Sequence, residues 1–192
     1  MSTIEPRRYI AVYEAGRAIV TILQGSALTE SVTLQDRPQK PTRPMPKADR
    51  PFFTKSQLDK CLQERLAGRA AEKLVLEDFS SHGADDLNKA SELAVLMATE
   101  LGMGYAGRAI TAALRPAGYE PSGLIRSVNT MLATAEDQAF RLLEPHRELV
   151  GQIADLLLAK EELSVEEVTL LASQAIEQSN QGEYCLSTKE DA

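Results

Sequence analysis

No tryptophan occurs in this 192-residue chain, and histidine and cysteine appear only twice each. Each scarcity excludes something. His82 and His146 cannot supply a zinc site built on three imidazoles, and any catalytic triad has to use one of the two. Cys61 and Cys185 lie far apart and follow no pairing pattern. Free thiols in a reducing compartment are expected, not a disulfide scaffold. No apolar run approaches the length of a membrane span. The start, MSTIEPRRYIAV, has a basic pair but no long apolar stretch behind it, so it does not read as a signal peptide. The expected location is therefore the cytoplasm, with no membrane span. Positive charge is in deficit, the net formal charge being -7, which argues against a general nucleic-acid binder. No GxxxxGK[ST] phosphate loop occurs, so no ATP site of that kind is expected.

What is present is helical periodicity. Pro6 suits the first turn of a helix, where its missing N–H costs nothing. Val12, Gly16, Ile19 and Leu23 then share a face, and Gly25 fits as the stop. Ser31 to Gln35 (SVTLQ) alternates and predicts a short strand. Residues 36–51 hold Pro38, Pro41, Pro44, Pro46 and Pro51 just beyond, with five basic residues among them, and read as a loop. That loop is either a basic, polyproline-like contact segment or simply a solvated connection; the second is the expectation. Thr54 and Gln57 form a capping box for a second helix with Leu58, Cys61, Leu62, Leu66, Ala70 and Leu74 as its buried stripe. FSSHGADD breaks it. A third helix starts at Asp85 and Asp86, where acids suit the dipole, turns Leu87, Ala90, Ala94, Met97 and Leu101 inward, and ends at Gly102. Tyr105 to Gly123 is irregular. Helices are expected from about Ser122 to Leu143 and from about Pro145 to Lys160, and Ser164 with Glu167 caps a last, short one. No internal repeat appears. The expectation is one domain over residues 1–178 and a polar, flexible tail over 179–192.

The chemistry concentrates in Tyr13-Glu14-Ala15-Gly16-Arg17. Residues four apart on a helix share a face. In HExxH that geometry sets two imidazoles on one zinc ion, and the glutamate acts on the zinc-bound water as general base. Here Glu14 and the spacing are kept, but Tyr13 and Arg17 stand at the ligand positions. Taken alone, these five residues describe no more than a helix with an i,i+3 Glu14–Arg17 pair.

Three longer stretches change that. RRYIAVYEAGRAIV resembles the HEAGHA helix that opens the peptidase domain of the FtsH family of membrane-anchored AAA+ zinc metalloproteases. LAGRAAEKLVLEDFSSHGADDLNKASELAVLMATELGMG resembles that family's LGGRAAEE and TGA-ND region. RSVNTMLATAEDQAFRLLEPHRELVGQIADLLLAKEELSVEEV resembles its closing helices. The three occur in the family's order and cover about Arg7 to Leu171. The resemblance implies a mainly α-helical peptidase-like fold with a small β-element. It carries the first histidine ligand onto Tyr13, the second onto Arg17, the catalytic glutamate onto Glu14 and the third ligand onto Asp86. Asp85 is a rival for that last place, but Asp86 keeps the spacing to Ala90-Ser91. Gly16 is carried over as a close-packing residue, and His146, in the family's HR pair, as structural.

Two of three implied ligands are thus replaced. A phenol binds zinc poorly until ionised, at a reference pKa of about 10. A guanidinium keeps its proton and has no lone pair to give. Arg17 is expected to pair with Asp86, Glu14 or both, standing where the cation would. Without a metal nothing acidifies water or polarises a carbonyl, so zinc-type proteolysis is not expected. The alternative is an active metallopeptidase with a rearranged site of His82, Asp86 and Glu14; against it, His82 reads as an exposed loop residue. Ser80 and Ser81 beside His82 do not make a triad. The expected role is binding or regulation, by association with itself or with an FtsH-type protease, as an oligomer and without a cofactor. A structural protein unconnected with proteolysis is the third possibility. The chain is expected to be a free-standing peptidase-like domain or a piece of something larger.

Overall fold

A computed structural model describes residues 5–35, 52–104 and 122–187. The proline-rich loop 36–51 and most of the stretch from Tyr105 to Gly123 lie outside the described residues. Among those described, six α-helices and one two-stranded sheet are present: α1 (Pro6–Leu23), β1 (Val32–Thr33), α2 (Lys55–Leu76), α3 (Ala84–Thr99), α4 (Ser122–Leu143), α5 (Arg147–Lys160), β2 (Glu162–Leu163) and α6 (Val165–Ser187). The chain is mainly helical with a small β-element, as the resemblance implies.

Helix α1 is central. Its buried residues, Ala11 to Val20 with gaps only at Glu14 and Arg17, go nearly all the way round. A helix apolar on every side must be covered on every side. It packs against α2 and α5 most extensively and also touches α4, α6 and β1. Two apolar clusters result. One joins α1 to Ala67, Ala71 and Leu74 of α2, Leu143 of α4, Ile153 and Leu157 of α5 and Val168 of α6. The other joins the first half of α2 (Leu58, Leu62, Leu66) to Ala90, Leu93 and Met97 of α3 and Val128 and Met131 of α4. Charged side chains that are buried, Glu64, Arg65, Glu72 and Asp86, come from α2 and the start of α3.

The local signals act as their chemistry dictates. Thr54 Oγ1 accepts from Gln57 N while Gln57 reaches back to Thr54 N at 2.9 Å. Ser164 and Glu167 do the same for α6, at 3.0 and 3.2 Å. Gly25 turns the chain out of α1 with φ +74°, a conformation that a side chain opposes.

Four sequence expectations need correction. The strand is two residues long instead of five, because it pairs only with β2, Val32 opposite Leu163 and Thr33 opposite Glu162. Leu87 is exposed, because α3 packs through Ala90, Leu93, Ala94 and Met97. Helix α3 closes at Thr99, so Leu101 and Gly102 lie beyond it. The last helix is not short: α6 runs through Ser187. No helix among the described residues is long and apolar enough to cross a membrane.

Candidate functional site

The site lies where α1, α2 and the start of α3 meet. Tyr13, Glu14 and Arg17 come from α1, Arg65 and Gly68 from α2, and Asp86 from the first turn of α3. The close approach of α1 to α2 depends on Gly16. A Cβ there would stand 2.2 Å from Ala71 Cβ and 3.1 Å from the Ala67 carbonyl oxygen.

The loop between α2 and α3 is tied down at three points. Buried Glu72 accepts from Ser80 N at 3.0 Å and from the Ser80 hydroxyl. Ser80 Oγ in turn accepts from His82 N at 3.2 Å, capping the 3-10 turn Ser81–Gly83. Tyr9 of α1 donates to Asp78 at 2.9 Å. These bonds swing His82 onto α1 instead of leaving it exposed. Its Nε2 lies 3.3 Å from Glu14 Oε1, and its ring stands T-shaped to that of Tyr13 with centroids 4.9 Å apart.

Tyr13 is fully enclosed and sits in a cradle of two glycines. A Cβ on Gly68 would come within 2.5 Å of its ring, and one on Gly83 within 2.7 Å. Gly68→Ala is therefore expected to cost about 2 kcal/mol of stability by overpacking. In a Tyr13→Ala background the same change should cost close to nothing. Urea unfolding of the four chains measures both.

The Tyr13 hydroxyl donates to Asp86 Oδ2 at 2.8 Å. Burial raises the Tyr13 pKa far above that of free phenol, and the neighbouring Asp86 charge raises it further, outweighing Arg17. The side chain is thus a neutral hydrogen-bond donor. Arg17 lies between the two carboxylates. Its Nη1 donates to Glu14 Oε2 at 3.2 Å, and its Nε stands 3.5 Å from Asp86 Oδ2. Burial opposes the Arg17 charge, but Glu14 and Asp86 more than offset that, so its pKa moves up and it stays a cation. Arg65, buried on α2, approaches the other Asp86 oxygen, Oδ1, to 3.8 Å. Asp85, by contrast, is exposed and pairs with Lys89.

These residues do not fit a zinc ion. The phenol points its proton, not a lone pair, at Asp86. Arg17 has no lone pair, and it brings positive charge between the carboxylates that a metal would need. Among the described residues no group of three or more His, Cys, Asp and Glu side chains is placed to hold one ion, and His82 with Glu14 and Asp86 is no exception. Glu14 itself is held by Arg17 and His82. His146 stands apart, at the N-cap position of α5 but with no side-chain cap bond, and burial lowers its pKa. Ser80 serves the loop, not a nucleophilic site.

Sequence reasoning brought Tyr13, Glu14, Arg17 and Asp86 into view and missed Arg65, Gly68 and Gly83. For Arg65 a signal existed. It follows Cys61 by four and Leu62 by three, so it falls in the buried stripe of α2.

The sequence profile described as Peptidase family M41 matches residues 1–116. An ATP-dependent zinc metalloprotease FtsH of Caldicellulosiruptor bescii is 29% identical over 183 residues, covering 86% of this chain and 30% of that protein. The protein of the same name from Acidothermus cellulolyticus is 31% identical over 173 residues, covering 81% and 26%. ATP-dependent zinc metalloprotease FtsH 3 of Sorangium cellulosum is 33% identical over 171 residues, covering 85% and 28%. The chain thus spans less than a third of the length of these relatives.

Proposed function

The chain belongs to peptidase family M41, and on that premise we propose a peptidase-like domain that has exchanged its metal for arginine and acts by binding. One observation carries the reading: the Arg17 guanidinium lies between Glu14 and Asp86, in contact with both. A permanent cation there removes the need for a metal and repels one. A glutamate held by Arg17 and His82, beside a phenol and a guanidinium that do not fit a metal, is not a competent general base for peptide hydrolysis. The role left to such a domain is regulatory. It binds a second copy of itself or an FtsH-type protease, using the helical scaffold without the chemistry.

The test is metal analysis of protein purified with zinc supplied, together with cleavage of an unfolded substrate. Far less than one metal per chain is expected, with no cleavage that Glu14→Gln abolishes. A second reading, in which His82 and Glu14 hold a metal with Asp86, is favoured only by the 3.3 Å approach of His82 to Glu14. One metal per chain together with Glu14-dependent cleavage would establish it and sink the first.

A further inference from the structure

The Asp86 carboxylate is used at both oxygens. Tyr13 and Arg17 face Oδ2, and Arg65 faces Oδ1 at 3.8 Å. The Arg65 and Asp86 side chains are 6% and 4% exposed, so their mutual charge is little screened by water. A buried guanidinium without a counter-charge is strongly unfavourable, as is a buried carboxylate. Around this junction two carboxylates, Glu14 and Asp86, meet two guanidiniums from different helices. A guanidinium is a permanent cation at ordinary pH.

We propose that Arg65 is the second half of a built-in substitute for a divalent ion, a positioning residue whose charge holds Asp86 and bars a metal. Arg17 supplies one positive charge from α1 and Arg65 the other from α2. Loss of the two imidazoles therefore does not fully account for the poor fit of these residues to a metal. Returning them would leave Asp86 clasped by Arg65. An incoming zinc ion would have to draw Asp86 away from that clasp and sit beside an uncompensated cation. This inference rests on the reading of the site as metal-free, and its test separates the two.

Zinc is titrated calorimetrically into the full chain carrying Tyr13→His and Arg17→His, and into the same double variant with Arg65→Met or with Arg65→Lys. Arg65→Met should tighten zinc at least about tenfold over the double variant, equivalent to about 1.4 kcal/mol. Arg65→Lys, which keeps the charge, should not. Equal affinities in all three, tightening by Lys as large as by Met, or no zinc in any of them overturns the role given to Arg65. Zinc taken up by the unaltered chain overturns the earlier reading instead. An independent check is the double-mutant cycle of Arg65→Met and Asp86→Asn, read by urea unfolding. Arg65→Met should reduce the folding equilibrium constant at least about tenfold more with Asp86 than with Asn in its place. Additive losses would mean that Arg65 acts by packing and not by charge.

Discussion

Arg17→Met lowers the unfolding free energy by roughly 3 kcal/mol, at the low end of the range for breaking a buried ion pair. The magnitude follows from what is left behind. Asp86 keeps the Tyr13 hydroxyl and the more distant Arg65, while Glu14, 17% exposed, keeps only His82 among its described partners. Methionine replaces the aliphatic stem well, so packing loss contributes little. Arg17→Lys should recover only part of the loss. An ammonium carries its three donors on one nitrogen, so it cannot reach both carboxylates from separated nitrogens as Arg17 does with Nη1 and Nε. Equilibrium urea unfolding of the three chains decides the matter. A cost within 0.5 kcal/mol of zero for Arg17→Met, the range of ordinary surface changes, would show that the network stabilises nothing.

Gly16→Ala should cost somewhat less, roughly 2 kcal/mol, although alanine favours a helix interior by about 1 kcal/mol. The new methyl would overlap Ala71 Cβ at 2.2 Å and crowd the Ala67 carbonyl at 3.1 Å. Both neighbours belong to α2, and neither is the far end of a flexible side chain. The two helices would have to move apart, and with them the core that joins Ala15, Ala67, Ala70 and Ala71. The matching double variant, Gly16→Ala with Ala71→Gly, moves the methyl from one helix to the other and should regain most of the stability. A melting temperature unchanged by Gly16→Ala alone would show that the α1–α2 contact is looser than its geometry.

What could be read from the residue order concerns interactions that close within one turn. The capping boxes at Thr54 and Ser164 need partners three residues away, and both form. The shared face of Tyr13 and Arg17 follows from helical pitch. Gly16 could be marked as a packing glycine, though not what it packs against. The buried stripe of α2 was legible because one helix face alternates with another at a known period. Leu87 broke the same rule, since which side of α3 is covered depends on where α2 and α4 lie.

Beyond the Arg17 pairing, the tertiary structure alone decided the state of the site. His82 was expected to be exposed, and the bonds of Glu72 and Ser80 turn it onto Glu14. Arg65 meets Asp86 across 21 positions of sequence, and Tyr13 meets it across 73. The glycine cradle of Tyr13 joins residues from α1, α2 and the 3-10 turn. Pitch, caps and propensity act over three or four residues and cannot express such distances. The helices and the positions that a metal would have needed were therefore set by the order of residues. That those positions close on each other through guanidinium, phenol and carboxylate was set by packing, because it is the fold that buries these charges together and obliges them to pair.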